Sequence, residues 1–301
     1  MCAVVLALHF LSGLYLTAAF KPVPSVSAAP ATWMRASVQM ETEEDLRALA
    51  FKLNPVVGFW DPLQLSRWEF TNTWEGIRNE EARIGFLRHA EIKHGRVAMA
   101  AFVGYCLQAN GVHFPWALTG SFEEGAPGIS FADISAAGSP PEQWDALPTA
   151  AKLQIILFIG FLEFCGESRD ILALSGEKHY MKGGKPGFYP SLKSGAYPST
   201  GDDMAGPVAP HPIPYDLFDP FGLQKNMSPE QKEESLLAEI NNGRLAMLGI
   251  MGFLAEAKVP GSVQLLSGVV KPYSGEVMAP FTENDIGMPF VKEMLQIRPI
   301  A

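Results

Sequence analysis

Acidic residues are absent from the first forty positions of the chain, and the first one is Glu41. The whole sequence has 32 acidic and 23 basic residues, so its formal net charge is −9. A nucleic-acid-binding protein needs a basic surface, and this charge balance excludes that class. Three cysteines are too few for a disulfide-stabilised scaffold. No motif indicates a nucleophile–base pair or a phosphate-binding loop.

The first forty residues have the composition of a two-part plastid-targeting leader. Residues 3–18 form an apolar stretch of signal-peptide length, and small residues with Phe20 follow at a candidate cleavage site. Residues 21–40 are rich in serine, alanine and proline, which is typical of a transit peptide. The alternative is a retained membrane anchor, but this apolar stretch is shorter than the ~20 residues that a span needs. We expect a cleaved leader over 1–40 and one domain over 41–301.

Three long apolar segments predict an all-α membrane protein with long connecting loops. They predict transmembrane helices over about 80–109, 148–174 and 229–258, each long enough to cross a bilayer at ~1.5 Å per residue. Pro148 and Pro229 suit the first turn of a helix, and Ser228 is a candidate N-cap. The loop over 175–228 is unusually long, which favours a functional role. A short amphipathic helix is expected near 284–296.

The first and third helices carry two copies of one motif. Residues 90–108 and 238–256 are offset by 148 positions and agree at eight of nineteen. An Asp-Pro turn precedes each copy, at Asp61 and Asp219, and the second helix has no matching copy. The repeat predicts a pseudo-two-fold pair of crossed helices. Small residues that let the two backbones approach occur in both copies: Gly95, Ala98, Gly243 and Ala246.

Each copy also places a glutamate and an arginine within an apolar stretch. A charge in a bilayer costs at least ~2.5 kcal/mol unless it is paired. A glutamate and an arginine five residues apart do not share a helix face well. The pairing expected of a two-fold pair is therefore crosswise, Glu91 with Arg244 and Glu239 with Arg96.

Residues of ligand type accompany these charges. His94 and Asn242 lie three residues after Glu91 and Glu239, on the same helix face. Further oxygen ligands lie near the far ends of these helices and within the second helix: Gln108, Glu256, Gln154 and Glu163. Mg²⁺ prefers oxygen ligands and takes few from protein, so the pattern fits the magnesium of chlorophyll, which needs one axial ligand. The alternative is a set of structural ion pairs and polar helix ends.

At these residues a known family can be recognised. The sequence Glu-x-x-His/Asn-Gly-Arg-x-Ala-Met, at 91–99 and 239–247, resembles the signature of the three-helix light-harvesting chlorophyll-binding proteins of thylakoids. The resemblance covers roughly 55–290. The segments GFWDPL, HYMKGGKPGFYP and NNGRLAM resemble the chlorophyll a/c branch found in algae with red-lineage plastids.

The resemblance implies roles for individual residues. It implies axial chlorophyll ligation by eight of them: Glu91, His94, Glu239, Asn242, Gln154, Glu163, Gln108 and Glu256. Arg96 and Arg244 would neutralise ligand carboxylates. Asp61 and Asp219 would cap the ends of two carotenoids in the grooves of the crossed pair. Glu163 lies nine residues after Gln154, whereas the two corresponding ligands of plant relatives are commonly eight residues apart. Glu256 replaces the usual glutamine, and without an arginine partner we expect it to stay protonated.

The implied function is that of a non-catalytic antenna in the thylakoid membrane. Its pigments would be chlorophyll a, chlorophyll c and carotenoids, namely fucoxanthin or peridinin with a diadinoxanthin-type xanthophyll. Its partners would be thylakoid lipids, neighbouring antenna subunits and a photosystem core. The 175–228 loop is interpreted as a docking surface, and on that basis photosystem I is favoured as the partner. The leader implies a nuclear-encoded plastid protein.

Two other functions are compatible with parts of the sequence. A photoprotective quencher of the same family would use acids such as Glu123 and Glu124 to respond to acidification. A di-iron carboxylate enzyme would use the pair Glu91 and His94, which matches the Glu-x-x-His pattern of ferritin-like bundles. That fold needs a second such pair and a fourth helix, whereas the repeat has Asn242.

Overall fold

The computed structural model describes residues 42–67, 80–118, 128–174, 176–190, 226–277 and 279–296. These segments are helical and contain no strand, apart from one bridge between Ala117 and Ser130. The α-helices are, in chain order, α1 (Glu43–Leu53), α2 (Glu80–Ala109), α3 (Phe131–Ala136), α4 (Pro140–Asp145), α5 (Thr149–Glu167), α6 (Arg169–Leu174), α7 (Pro229–Lys258) and α8 (Val291–Gln296). Short 3₁₀ turns cover Tyr180–Lys182, Gln264–Leu266 and Glu283–Asp285.

The two repeat helices have the bounds that the sequence predicts. Helix α7 begins after Ser228, whose Oγ accepts a hydrogen bond from the Gln231 N–H at 3.3 Å, while Gln231 Oε1 accepts from the Ser228 N–H at 3.0 Å. This reciprocal pair satisfies two N–H groups that the first turn leaves without helical partners. The predicted N-cap is therefore confirmed.

The middle helix and the C-terminal segment differ from the prediction. The expected helix over 148–174 is interrupted at Ser168, between α5 and α6. Gly166 and Ser168 are weak helix formers, which favours a break there. The helix expected near 284–296 consists of the 3₁₀ turn Glu283–Asp285 and the separate helix α8, because Gly287 and Pro289 interrupt the segment.

Three short helices were not predicted, although each begins with a capping box. The N-cap residues are Thr42, Ser130 and Ser139, and an acid three residues later bonds back to each of them. This is the serine or threonine pattern that marks a helix N-terminus. Helices of 6 to 11 residues present too few turns for a clear hydrophobic period.

Among the described helices, α5 alone combines the length and the apolar composition needed to cross a membrane. Its mean hydropathy is 1.5, and only 17% of that stretch is buried. Helices α2 and α7 are each 30 residues long but carry more ionisable residues. Three membrane spans therefore stay a prediction.

The chain divides into two compact units, and each long helix contributes to both. Among the described residues, unit I consists of those from Gly95 to Phe161 and from Asn242 onward, and unit II of those up to His94 and from Leu162 to Asn241. In unit I, α2 and α7 approach closely at Gly95 and Gly243. The approach that the small residues predict is therefore confirmed at this pair.

Each unit has its own apolar core. In unit I, side chains of α2 and α7 pack with the segment that follows α7: Ala257, Val270, Tyr273, Tyr105, Phe253, Leu266 and Val277. In unit II, α1 packs on α2 and α7: Leu53, Ile92, Ile240, Leu49, Leu236 and Leu237. Asn241 Nδ2 also donates to the carbonyl of Leu53 at 3.3 Å, which fixes the end of α1.

Candidate functional site

Most of the predicted ligands lie open on the surfaces of the long helices. Five are exposed: His94, Gln108, Gln154, Glu163 and Asn242. Glu91 and Glu239 are half-buried, and Glu256 is only 2% exposed. An axial ligand of a chlorophyll must have room beside it for a large ring, so the exposed and half-buried donors fit that pigment and the buried one does not.

The crosswise ion pairs that the sequence predicts would involve residues assigned to different units. Glu91 and Glu239 belong to unit II, whereas Arg96 and Arg244 belong to unit I. Both arginines are half-buried. The pairing stays a prediction.

His94 is held in the tautomer that a metal ligand needs. Its Nδ1 lies 2.7 Å from the carbonyl oxygen of Ala90. A carbonyl only accepts hydrogen bonds, so Nδ1 carries the proton and Nε2 keeps its lone pair. This arrangement is common for metal-binding histidines, where the second ring nitrogen sets the orientation.

Unit II contains a polar cluster between α2, the end of α5 and the following loop. Lys93 Nζ lies 2.5 Å from Glu163 Oε2 and 3.2 Å from Glu167 Oε1. Glu167 Oε2 also accepts hydrogen bonds from His179 Nε2 at 2.9 Å and from the Tyr180 hydroxyl at 3.0 Å. Glu163, a predicted ligand, is therefore ion-paired to a lysine of another helix.

The glycine- and aromatic-rich loop after α6 packs on α2. His89 stacks on Tyr180 with ring centroids 3.8 Å apart, and its Nδ1 accepts a hydrogen bond from the Gly187 N–H at 3.1 Å. Gly187 has a φ of +74°, and a Cβ there would lie 2.7 Å from Ile92 Cγ2. Glycine is needed at this position both for the backbone conformation and for the close packing. The motif HYMKGGKPGFYP is therefore explained by packing.

Unit I contains a cavity of about 480 Å³, a size typical of ligand pockets. Its lining comes from α2, α4, α7 and the segment after α7, and it includes Tyr105, Gln108, Trp144, Ile250, Leu254 and Tyr273. The predicted ligand Gln108 thus faces a largely apolar space. The sequence did not predict this cavity.

Hydrogen bonds fix the polar wall of the cavity. Trp144 Nε1 donates to the carbonyl of Pro280 at 2.9 Å, and the Tyr273 hydroxyl donates to Asp145 Oδ2 at 2.7 Å. Burial, and then the carboxylate of Asp145, raise the pKa of Tyr273, so its hydroxyl stays protonated. The aromatic rings therefore have fixed positions around the cavity.

A buried ion pair attaches the C-terminal segment to the start of α5. Lys152 is completely buried, and its Nζ lies 2.7 Å from Asp285 Oδ2. The Thr149 hydroxyl donates to Asp285 Oδ1 at 2.5 Å. Burial acts to raise the pKa of Asp285, but the hydrogen bonds from Lys152 and Thr149 outweigh it, and the pKa falls to about 2.

Two predicted site carboxylates hold turns instead of standing open. Glu256 accepts hydrogen bonds from the N–H groups of Gly261 and Val263, each at 2.8 Å. Glu256 was expected to have no arginine partner, and the turn after α7 supplies two backbone N–H donors to it instead. Asp61 accepts in the same way from the N–H groups of Leu65 and Ser66 at 2.9 Å. Asp219 lies outside the described residues.

Comparison with known proteins agrees with the repeat. The model of the family described as chlorophyll A-B binding protein matches residues 47–258. A chloroplastic fucoxanthin-chlorophyll a-c binding protein of Trieres chinensis is 30% identical over 250 residues, covering 83% of this chain and 92% of the relative. Protein F of that name from Phaeodactylum tricornutum is 29% identical over 208 residues, covering 68% of this chain and 76% of the relative.

The predicted resemblance is therefore confirmed, including its chlorophyll a/c branch. The di-iron alternative is wrong, because the matching family is not enzymatic. Glu91 and His94, on which that alternative depends, belong to the repeated motif, and the family model covers both copies of it. The chain belongs to the chlorophyll a-b binding protein family of light-harvesting proteins.

Proposed function

We propose that this protein is an antenna subunit of the thylakoid membrane that binds chlorophylls and carotenoids and passes excitation energy to a photosystem. One observation carries the proposal: the doubled Glu-x-x-His/Asn-Gly-Arg motif lies on two helices that meet at Gly95 and Gly243. The bound pigments supply light absorption and energy transfer, while the protein fixes their positions.

The donor atoms and their surroundings support the proposed ligand roles. His94 offers Nε2, because its Nδ1 proton is held by the Ala90 carbonyl. Asn242 offers an amide oxygen at the matching position of α7, and both residues are exposed. Glu91 and Glu239 ligate as carboxylates, with Arg244 and Arg96 as crosswise partners. Gln154 and Gln108 act as neutral oxygen ligands.

The surface of α5 supports its position in a membrane. Large apolar side chains on this helix are 37–69% exposed: Ile156, Leu157, Ile159, Phe161 and Phe164. A soluble protein rarely exposes such a continuous apolar surface, whereas lipid tails and pigment rings cover it without cost. In the proposed topology α2, α5 and α7 each cross the bilayer, and the leader over 1–40 directs the chain to the plastid.

The cavity of unit I accommodates part of a pigment. Its walls are aromatic and aliphatic, and its volume of about 480 Å³ suits a carotenoid end ring or the edge of a chlorophyll beside Gln108. The relatives are named for fucoxanthin and chlorophylls a and c. We propose these three pigments for this chain, with a diadinoxanthin-type xanthophyll as a second carotenoid.

Two finer expectations depend on residues that the structure does not describe. The preference for photosystem I rests on the 175–228 loop, whose part 191–225 lies outside the described residues. Glu123 and Glu124 of the quencher alternative lie outside them as well. The proposal therefore comprises an antenna serving a photosystem, with no preference between the two photosystems and no quenching role.

Refolding the chain with a chlorophyll a/c and carotenoid extract tests the proposal. We expect light absorbed by the carotenoid to appear as chlorophyll fluorescence. His94→Leu and Asn242→Leu should each lower the chlorophyll content by one molecule per protein. Lys232→Gln, at an exposed position in the first turns of α7, is the control and should change nothing. Absence of energy transfer, or full chlorophyll content in both ligand variants, would overturn the proposal.

A further inference from the structure

The ion pair between Lys93 and Glu163 joins a repeat helix to the helix that has no copy. Lys93 Nζ lies 2.5 Å from Glu163 Oε2. The second copy of the repeat has Asn241 at the position of Lys93, and Asn241 donates to the end of α1 instead. The lysine thus belongs to the first copy only, and its partner lies on α5.

Helix α5 has no suitable cation of its own for Glu163. The basic residue within Thr149–Glu167 is Lys152, which is completely buried and paired with Asp285. An ionised carboxylate on an apolar helix is costly without a counter-charge. In the repeat, arginines are expected to provide that charge, and at Glu163 a lysine of α2 provides it.

The two glutamates near Lys93 differ in what surrounds them. Glu167 accepts hydrogen bonds on both oxygens, from Lys93, His179 and Tyr180. Glu163 receives Lys93 on Oε2, and no described residue donates to its Oε1. Its side chain is also the more open one, 53% exposed against 38% for Glu167. Glu167 therefore holds Lys93 and the loop in place, while Glu163 has its Oε1 available to bind a ligand.

We propose that Lys93 is the positioning counter-charge of Glu163, and that Glu163 ligates a chlorophyll magnesium through Oε1. The ammonium group balances the charge of the carboxylate and fixes its orientation from the neighbouring helix. This inference rests on the proposed antenna function, and it adds an interhelical charge pair to a ligand whose own helix lacks one.

Chlorophyll content after refolding with pigments tests the inference. Lys93→Met should remove one chlorophyll per protein, because the carboxylate loses its counter-charge. Lys93→Arg should keep that chlorophyll. The double variant Lys93→Met/Glu163→Gln should recover it, because a neutral amide ligand needs no counter-charge. If Lys93 only bridged α2 and α5, glutamine at 163 would not rescue the loss.

The control is Lys52→Met, which removes an exposed ion pair with Glu233 in the same unit. Lys52 Nζ lies 2.7 Å from Glu233 Oε1, and both side chains are 58% exposed. We expect full chlorophyll content in this variant. Glu163→Leu should lose the same chlorophyll as Lys93→Met, as seen by the same missing band in visible circular dichroism.

The outcomes separate this inference from the proposed function. A wild-type chain that binds no chlorophyll would contradict the antenna itself. A wild-type chain with its full pigment set, together with unchanged chlorophyll in Lys93→Met or Glu163→Leu, would overturn the role of the pair alone. Failure of the double variant to recover the chlorophyll would also overturn it.

Discussion

Gly95 of α2 and Gly243 of α7 lie against each other with no room for a side chain between them. A Cβ on Gly95 would lie 3.0 Å from the Cα of Gly243, and a Cβ on Gly243 would lie 2.9 Å from the Cα of Gly95. Both glycines occupy the same position of the repeat. The contact sets the distance between the helices that carry most of the proposed ligands.

Gly243→Ala should destabilise the protein. Because the new methyl group meets backbone atoms, the helices must move apart, and overpacking of this kind costs about 1–3 kcal/mol. Thermal unfolding followed by circular dichroism measures the effect. The control is Gly160→Ala on α5, where a Cβ would have no atom within 4 Å. Equal midpoints for the two variants would contradict a tight contact.

Asp285→Asn should destabilise unit I strongly. The substitution leaves the ammonium group of Lys152 fully buried without its counter-charge, and breaking a buried pair in this way costs about 3–5 kcal/mol. Glu283→Gln removes an exposed charge from the same 3₁₀ turn and serves as the control. Equal thermal midpoints of Asp285→Asn and Glu283→Gln at pH 7 would show that the ion pair of Lys152 and Asp285 does not hold the C-terminal segment on α5.

The same pair predicts how stability depends on pH. The pKa of Asp285 is lowered from 3.8 to about 2 in the folded protein, so its contribution is fully present well above pH 4. It is lost as pH falls from about 4 through 2, because the unfolded state then binds a proton more readily. The difference in midpoint between wild type and Asp285→Asn should therefore stay constant from pH 7.5 to 5. A difference that shrinks within that range would contradict the low pKa.

Glu256 should act on the turn after α7 and not on pigment. In Glu256→Gln only one terminal atom can accept a hydrogen bond, so one of the N–H groups of Gly261 and Val263 loses its acceptor. We expect a lower thermal midpoint with full chlorophyll content, and the same pattern in Glu256→Leu. The contrary result would be a chlorophyll missing from Glu256→Leu while Glu256→Gln is as stable as wild type. It would show that Glu256 is a magnesium ligand.

Local patterns in the sequence predicted the long helices and which residues of ligand type lie on them. The apolar segment, with Ser228 and Pro229 at its start, predicted the bounds of α7, and the small residues of the repeat predicted the close approach at Gly95 and Gly243. The pair of Lys152 and Asp285 could not be predicted, because its members lie 133 residues apart and no spacing rule links them. Lys93 was overlooked for the same reason: its partner belongs to another helix.

Glu256 shows a different limit of the sequence. Its position in the repeat implied a ligand, yet whether a carboxylate faces a pigment or a turn depends on the conformation of Gly261–Val263, which the repeat does not contain. The cavity of unit I likewise combines α2, α4, α7 and the C-terminal segment. Sites assembled from distant segments require the folded structure.

The most direct test of the antenna function is the room-temperature absorption spectrum of the protein isolated from its membrane in mild detergent. We predict chlorophyll Qy bands, a Soret shoulder of chlorophyll c and strong blue-green carotenoid absorption, all migrating with the polypeptide. A colourless protein, obtained from cells that contain these pigments, would contradict the account.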